Sequence, residues 1–440
     1  MAADAAADLA FLAGNARRSI SDLRRAVEAV PAIAGRRGAH FLAVVAATLD
    51  ALENGIAQRE QDFQTAVDAA DRYSVVRAMR LLSHDVMSLH TRSPWIESTR
   101  GTNLDLGLIY FVDEVVAALM KQSMDVVLIP SPEYMYWTIH KPFEDALRNL
   151  GVAYPASVPP VIVAYPVQEP HSLFLHLLVA HELGHSAVID HGLLAEVFGH
   201  DSRRGDTTNA LNLAVQEHTS LENSPHPVAV GEIRAILLKW LTELVCDGLA
   251  LALLGPSYLF TFTAFSKPFG GPEPSKTHPP FTLRTRLLVE WLDAWGWRPV
   301  LAAQVPVLFS WIEQAGREPQ EPGDKTYFLR MEEAVLNLSS AIRKTLEVHV
   351  DQMRFEPTAY EATQEQLTAL IKQRILPAQL LDGSATDRRV VILAGWLEAF
   401  AEDSDTSIAL ARLIGNREYQ RFLTKALEMS TVLDRWNETT

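Results

Sequence analysis

His181-Glu182-Leu183-Gly184-His185 constrains this chain more than any other stretch, because it sets two imidazoles and a carboxylate inside an apolar segment, Phe174 to Val188. Leu175, Leu177, Leu178, Val179 and Ala180 precede the motif, and Ala187, Val188 and Ile189 follow it. A segment apolar on most sides reads as a buried helix. Residues four apart on a helix share one face, with Cβ atoms about 5–6 Å apart. His181 and His185 are thus spaced to grip one zinc ion, with Glu182 beside them as a base for a water molecule. The plain alternative is a surface helix with two solvated histidines; the apolar neighbours argue against it, and three such polar groups are costly to bury without partners.

A catalytic zinc site usually takes three protein ligands and keeps one position for water. Two candidates exist for the third ligand. His191 stands where the long motif H-E-x-x-H-x-x-G-x-x-H places its last histidine, but Val188 occupies the position of the turning glycine. A β-branched residue suits a positive φ poorly, and the first methionine downstream, Met331, is far along the chain. Glu243 is the second candidate. It lies in a long helix expected from about Gly231 to Leu254, halted at Gly255-Pro256, with Ile236, Trp240, Leu244, Leu251 and Leu254 as its apolar stripe. Glu243 and Asp247 fall on or beside that stripe. The plain reading is an amphipathic helix with two acids at its margin. The sharper reading makes Glu243 the third zinc ligand and Asp247, one turn on, the acceptor for the second N–H of a ligand histidine.

H-E-x-x-H followed on a separate helix by E-x-x-x-D resembles the gluzincin zinc peptidases. The resemblance implies His181, His185 and Glu243 as zinc ligands, Glu182 as general base and Asp247 behind a ligand histidine. The spacing between His185 and Glu243 exceeds that of the shortest gluzincins, so an insertion fills Leu193 to Val230. Thr277-His278-Pro279-Pro280, with Arg284 and Arg286 downstream, is similar to a segment of one gluzincin branch, the CAAX-prenyl-type endopeptidases and their soluble minigluzincin-like relatives. These motifs cover residues 171–290. The expected fold is mainly α, an α+β zincin-like core at 121–300 flanked by helical regions at 1–120 and 301–440.

Elsewhere the periodicity is mainly helical. Leu9 to Val30, Phe41 to Ala70 and Val75 to Leu89 carry apolar residues three and four apart, and His84 and His90 read as ordinary polar residues. Asp125 to Ile129, ending at Pro130, and Val161 to Tyr165 read as short buried strands. The resemblance implies that the second of them edges the cleft and pairs with an extended substrate. His200 to Pro227 is polar, with a short helix expected at Leu211 to Val215, and reads as a wall, a lid or an inert loop. Ser266 to Pro280 is a proline- and glycine-rich loop that delivers His278. His278, Arg284 and Tyr258 are candidate donors to the oxyanion of a tetrahedral intermediate. The alternative has His278 capping the next helix and Arg284 paired with an acid in the core. Residues 287–440 return to helix, with a break at Gly316 to Asp324 and a compact apolar helix at Arg389 to Phe400.

The 440 residues carry a net charge of −15, which argues against a nucleic-acid partner. The sole cysteine, Cys246, excludes an intrachain disulfide and reads as core packing. Met1 to Ala10 lacks a basic region and is not a secretory signal. Lys239, Glu243 and Asp247 interrupt the longest apolar stretch, so no membrane span is expected and the cytoplasm is the expected location. The leading expectation is a zinc endopeptidase acting on a peptide or protein. A zinc-stabilised scaffold with little or no hydrolysis, whose helical flanks bind a protein partner, and a latent peptidase held shut by the N-terminal helices or the 200–227 insertion are the alternatives. The scaffold would not need Glu182.

Overall fold

A computed structural model describes residues 2–30, 38–99, 104–121, 124–156, 160–200, 230–266, 275–316, 326–401 and 415–439. The protein is mainly helical, with one small mixed sheet. Two compact units are formed, Met1–Asn103 with Gln122–Pro170, and Leu104–Lys121 with His171–Thr440.

In the first unit, helices Ala2–Glu28, Ala39–Thr65 and Ala69–Thr91 pack together. Their heptad-like spacing decides which faces meet: Leu9, Ala13, Ala16, Ile20 and Leu23 on the first, Val76, Met79, Leu82, Val86 and Leu89 on the third, all buried. Strands β1 (Val126–Ser131) and β3 (Val161–Pro166) add Val127, Ile129, Ile162 and Ala164 to the same core, and β2 (Trp137–His140) packs Trp137 and Ile139 against it. The Asp125 carboxylate caps the second helix, accepting from the backbone N–H of Gly38, His40 and Phe41 at 2.7, 3.0 and 3.1 Å.

The sheet order is β1-β3-β2, with β3 parallel to β1 and antiparallel to β2. This corrects one expectation. Val161 to Tyr165 is a strand, but both its flanks are already paired, so its backbone is not free to receive a substrate strand. The first strand runs on through Pro130, which an edge strand tolerates because no inward N–H is needed there. β2 was not foreseen; four residues are too few for a pattern.

In the second unit the apolar segment around the motif is not a single helix. A short helix, Leu173–His176, and a turn at Leu177-Leu178 precede the motif helix, Val179–His191, which ends at Gly192 with φ 67°. The expected acid-bearing helix spans Val230–Leu254 and ends at Gly255, φ 57°. It packs on the motif helix and on Thr326–Val350. Glycine permits both contacts. A Cβ on Gly184 would lie 3.0 Å from Cys246 Cα and 3.1 Å from its Cβ, and one on Gly248 would lie 2.2 Å from Leu346 Cδ1. Cys246 is fully buried and packs where the backbones meet, as expected. Helices Pro256–Ser266, Phe281–Ala294 and Arg388–Ala401 complete the surroundings, the last burying Trp396 against Phe174 and Phe260.

The helix expected at Leu211 to Val215, with nearly all of the 200–227 insertion, lies outside the described residues, as does most of the break after Gly316. Among the described residues no helix is long and apolar enough to cross a membrane. Gly184→Ala should force the motif and acid helices apart by tenths of an ångström, costing about 1–3 kcal/mol in a denaturant titration. An unchanged midpoint would show that the contact relaxes freely.

Candidate metal centre

The motif helix turns His181 and His185 toward the acid helix, their rings edge-to-face with centroids 5.1 Å apart. Glu243 meets both: His181 Nε2 lies 3.3 Å from its Oε2 and His185 Nε2 3.6 Å from its Oε1. The three ligand atoms lie within 4.8 Å of one another, and this His-His-Glu group can hold a metal ion. Glu182 is buried on the same helix beside His181. His191, the other candidate, is not part of the group. Its Nε2 contacts Leu119 O at 2.9 Å and its ring packs against His349. With Val188 in place of a turning glycine, the helix carries His191 past the site.

Behind His181 stands Asp247, fully buried one turn beyond Glu243. Its Oδ1 lies 2.9 Å from His181 Nδ1 and accepts from Tyr258 OH at 2.5 Å and Arg284 Nη2 at 2.7 Å, while Oδ2 accepts from Arg284 Nε at 2.7 Å. Arg284 also faces Glu243 Oε2 at 3.8 Å and covers the Phe262 ring at 4.6 Å. Two of the three candidate oxyanion donors, Tyr258 and Arg284, are thus engaged with a core carboxylate. The third, His278, is half-exposed, with Nε2 3.7 Å from Glu243 Oε2. Arg286 is exposed and not part of this network.

These contacts decide the charges. Burial alone disfavours an ionised Asp247, yet the guanidinium of Arg284 and the His181 ring hold it well below the carboxylate range. Burial likewise opposes the charge on Glu243, and His181, Arg284 and His278 bring it down to about 2. For His181 burial favours the neutral ring, but Asp247 at Nδ1 and Glu243 at Nε2 carry it up to about 10. Arg284 is raised despite its burial, chiefly by Asp247. Burial lifts Tyr258 and Cys246 far above their usual values, with the nearby carboxylates adding to it. His278 is lowered, first by burial and then by Arg284 and His181.

This pattern fits a bound cation. His181 turns Nδ1 to Asp247 and Nε2 to Glu243, and buried Glu243 Oε2 has no hydrogen-bond donor of good geometry. The imidazole between two carboxylates therefore retains a proton unless a positive ion replaces it. Side-chain exposure grades across the group, from 0% at Asp247 through 8% at His181 and 10% at Glu243 to 24% at His185 and 51% at His278. The site is closed behind and open in front.

Two hydroxyl residues beside His278 carry roles that the motif reading missed. Ser275 Oγ accepts from the backbone N–H of Thr277 at 3.2 Å and of His278 at 2.9 Å, and Thr277 Oγ1 lies 2.8 Å from His278 Nδ1. Trp240 Nε1, one turn before Glu243, donates to Ser275 O at 2.9 Å. The available signal was S-x-T-H ahead of two prolines, a pattern suited to a side-chain-closed turn.

Comparisons with protein-family profiles, with curated proteins and with solved structures returned no match.

Zinc uptake by chelator-stripped protein should release about one proton per metal at pH 7, from His181, with apparent affinity rising as pH climbs toward 10. Calorimetry in buffers of different ionisation enthalpy checks this, and zero release would refute the charge assignment. In stripped protein the raised His181 stabilises fully below the ordinary histidine value, and this is lost as pH rises through about 10. The depressed Glu243 contributes above the carboxylate range and loses its contribution as pH falls through about 2. The network is therefore intact at neutral pH.

Proposed function

We propose that this chain is a zinc-dependent endopeptidase with a gluzincin-type site on a zincin-like core. The observation that carries the reading is the convergence of His181, His185 and Glu243, with Glu182 on the motif helix and Asp247 behind His181. Two imidazoles and a carboxylate suit zinc among the common divalent ions. Zinc held there supplies Lewis acidity, acidifying a water and polarising a carbonyl.

The chain's own residues do the rest. Asp247 fixes His181 as the Nδ1–H tautomer, so Nε2 is presented as a ligand. Arg284 and Tyr258 keep Asp247 ionised and fixed in place. Glu182 takes the proton of the attacking water and returns it to the leaving amine. His278, the exposed member 3.7 Å from Glu243, is the residue assigned as donor to the carbonyl oxygen.

The scaffold alternative predicts metal without chemistry. Structural zinc sites are usually closed by four protein ligands. Here the group has three members and opens at His185, which favours the hydrolytic reading.

Elemental mass spectrometry should find about one zinc per chain, lost in Glu243→Ala and kept in His191→Ala. On a peptide library Glu182→Gln should bind zinc normally and lose at least about 10²-fold in kcat. Zinc lost with His191 and kept without Glu243 would sink the ligand assignment. Full activity in Glu182→Gln would sink the role of the base, and wild type that loads zinc but cleaves nothing would favour the scaffold.

A further inference from the structure

A short turn outside both metal-bearing helices decides what His278 can do. Ser275 Oγ accepts two backbone N–H groups, those of Thr277 and His278. A hydroxyl has two acceptor positions and one proton. With both acceptor positions filled, its proton has a partner within reach in Thr277 Oγ1, at 3.1 Å. The Thr277 hydroxyl, receiving that bond, lies 2.8 Å from His278 Nδ1, within reach to donate its own proton there. The opposite end of the ring agrees. His278 Nε2 faces the acceptor-only carboxylate of Glu243 at 3.7 Å, and a bare lone pair there would be repelled.

The turn is stiff. Ser275 N donates to His278 O at 3.1 Å, Trp240 Nε1 pins Ser275 O, and Lys276 pairs with Glu232 at the start of the acid helix. His278 precedes Pro279, which restricts its backbone to extended conformations, and Pro279 and Pro280 are themselves buried.

We propose that Ser275 and Thr277 are positioning residues that fix His278 as its Nε2–H tautomer, a neutral hydrogen-bond donor facing the metal group and not a fourth metal ligand. The proposal deepens the hydrolytic reading and rests on it: His278 then donates to the carbonyl oxygen of a bound peptide as negative charge develops there. A histidine free to place its proton on Nδ1 would instead offer Nε2 to the metal and occupy the position that water needs.

The test is long-range proton–nitrogen correlation NMR on full-length protein with ¹⁵N-labelled histidine, loaded with ¹¹³Cd, and with His278→Ala for assignment. The expected result is a protonated Nε2 and bare Nδ1 for His278, with cadmium coupling confined to His181 and His185. Thr277→Val should move the proton population toward Nδ1 and lower kcat of the zinc enzyme about tenfold at constant KM and metal content. Thr277→Ser should restore both. A protonated Nδ1 in the wild type, cadmium coupling to His278, or an unmoved tautomer in Thr277→Val would overturn the proposal. Wild-type zinc protein without hydrolysis would overturn the hydrolytic reading and with it the donor role. The spectrum then decides the tautomer assignment separately.

Discussion

The second unit is organised around one buried charge. Asp247 has no access to water, and it is ionised because Arg284 grips both its oxygens while Tyr258 and His181 complete its hydrogen bonds. Buried ion pairs add little net stability, but removing one partner leaves an uncompensated charge and costs about 3–5 kcal/mol. The network is therefore hard to dismantle piecemeal. It joins four helices, those carrying His181, Asp247, Tyr258 and Arg284, and His185 and Glu243 sit on two of them.

Close packing turns that frame into a site. Gly184 lets the motif helix press its backbone against Cys246, and Gly248 gives the opposite side of the acid helix to Leu346. The acid helix is gripped from both sides at the height of Glu243 and Asp247. Its carboxylates have little freedom to drift from the imidazoles they face. Oriented groups of this kind lose little entropy when they engage a ligand.

Much of this was legible in the chain. The apolar surroundings of His181 and His185 announced a buried helix, and Glu243 and Asp247 stood out as acids on an otherwise apolar stripe. The helices of the first unit followed from three- and four-residue spacing. What escaped depended on long-range partners. Nothing local showed that Val161 to Tyr165 would be flanked on both sides, or that Leu177-Leu178 would turn. Arg284 was placed near the site by resemblance, and the alternative in which it pairs with a core acid is the one the fold shows; the bond from Tyr258 to the same acid was not foreseen. The hydroxyls of Ser275 and Thr277 gain meaning once Trp240 is seen to hold their turn.

The graded exposure of the group, sealed at Asp247 and open at His278, separates two events that small zinc domains cannot separate. In those domains the metal is the core, and losing it means unfolding. Here the rear wall is tied by Arg284 and Tyr258 to a carboxylate outside the His-His-Glu group. The frame therefore does not depend on an ion in the group, and folding and any metal uptake are separate events. The group meets solvent through the face of His185 and His278.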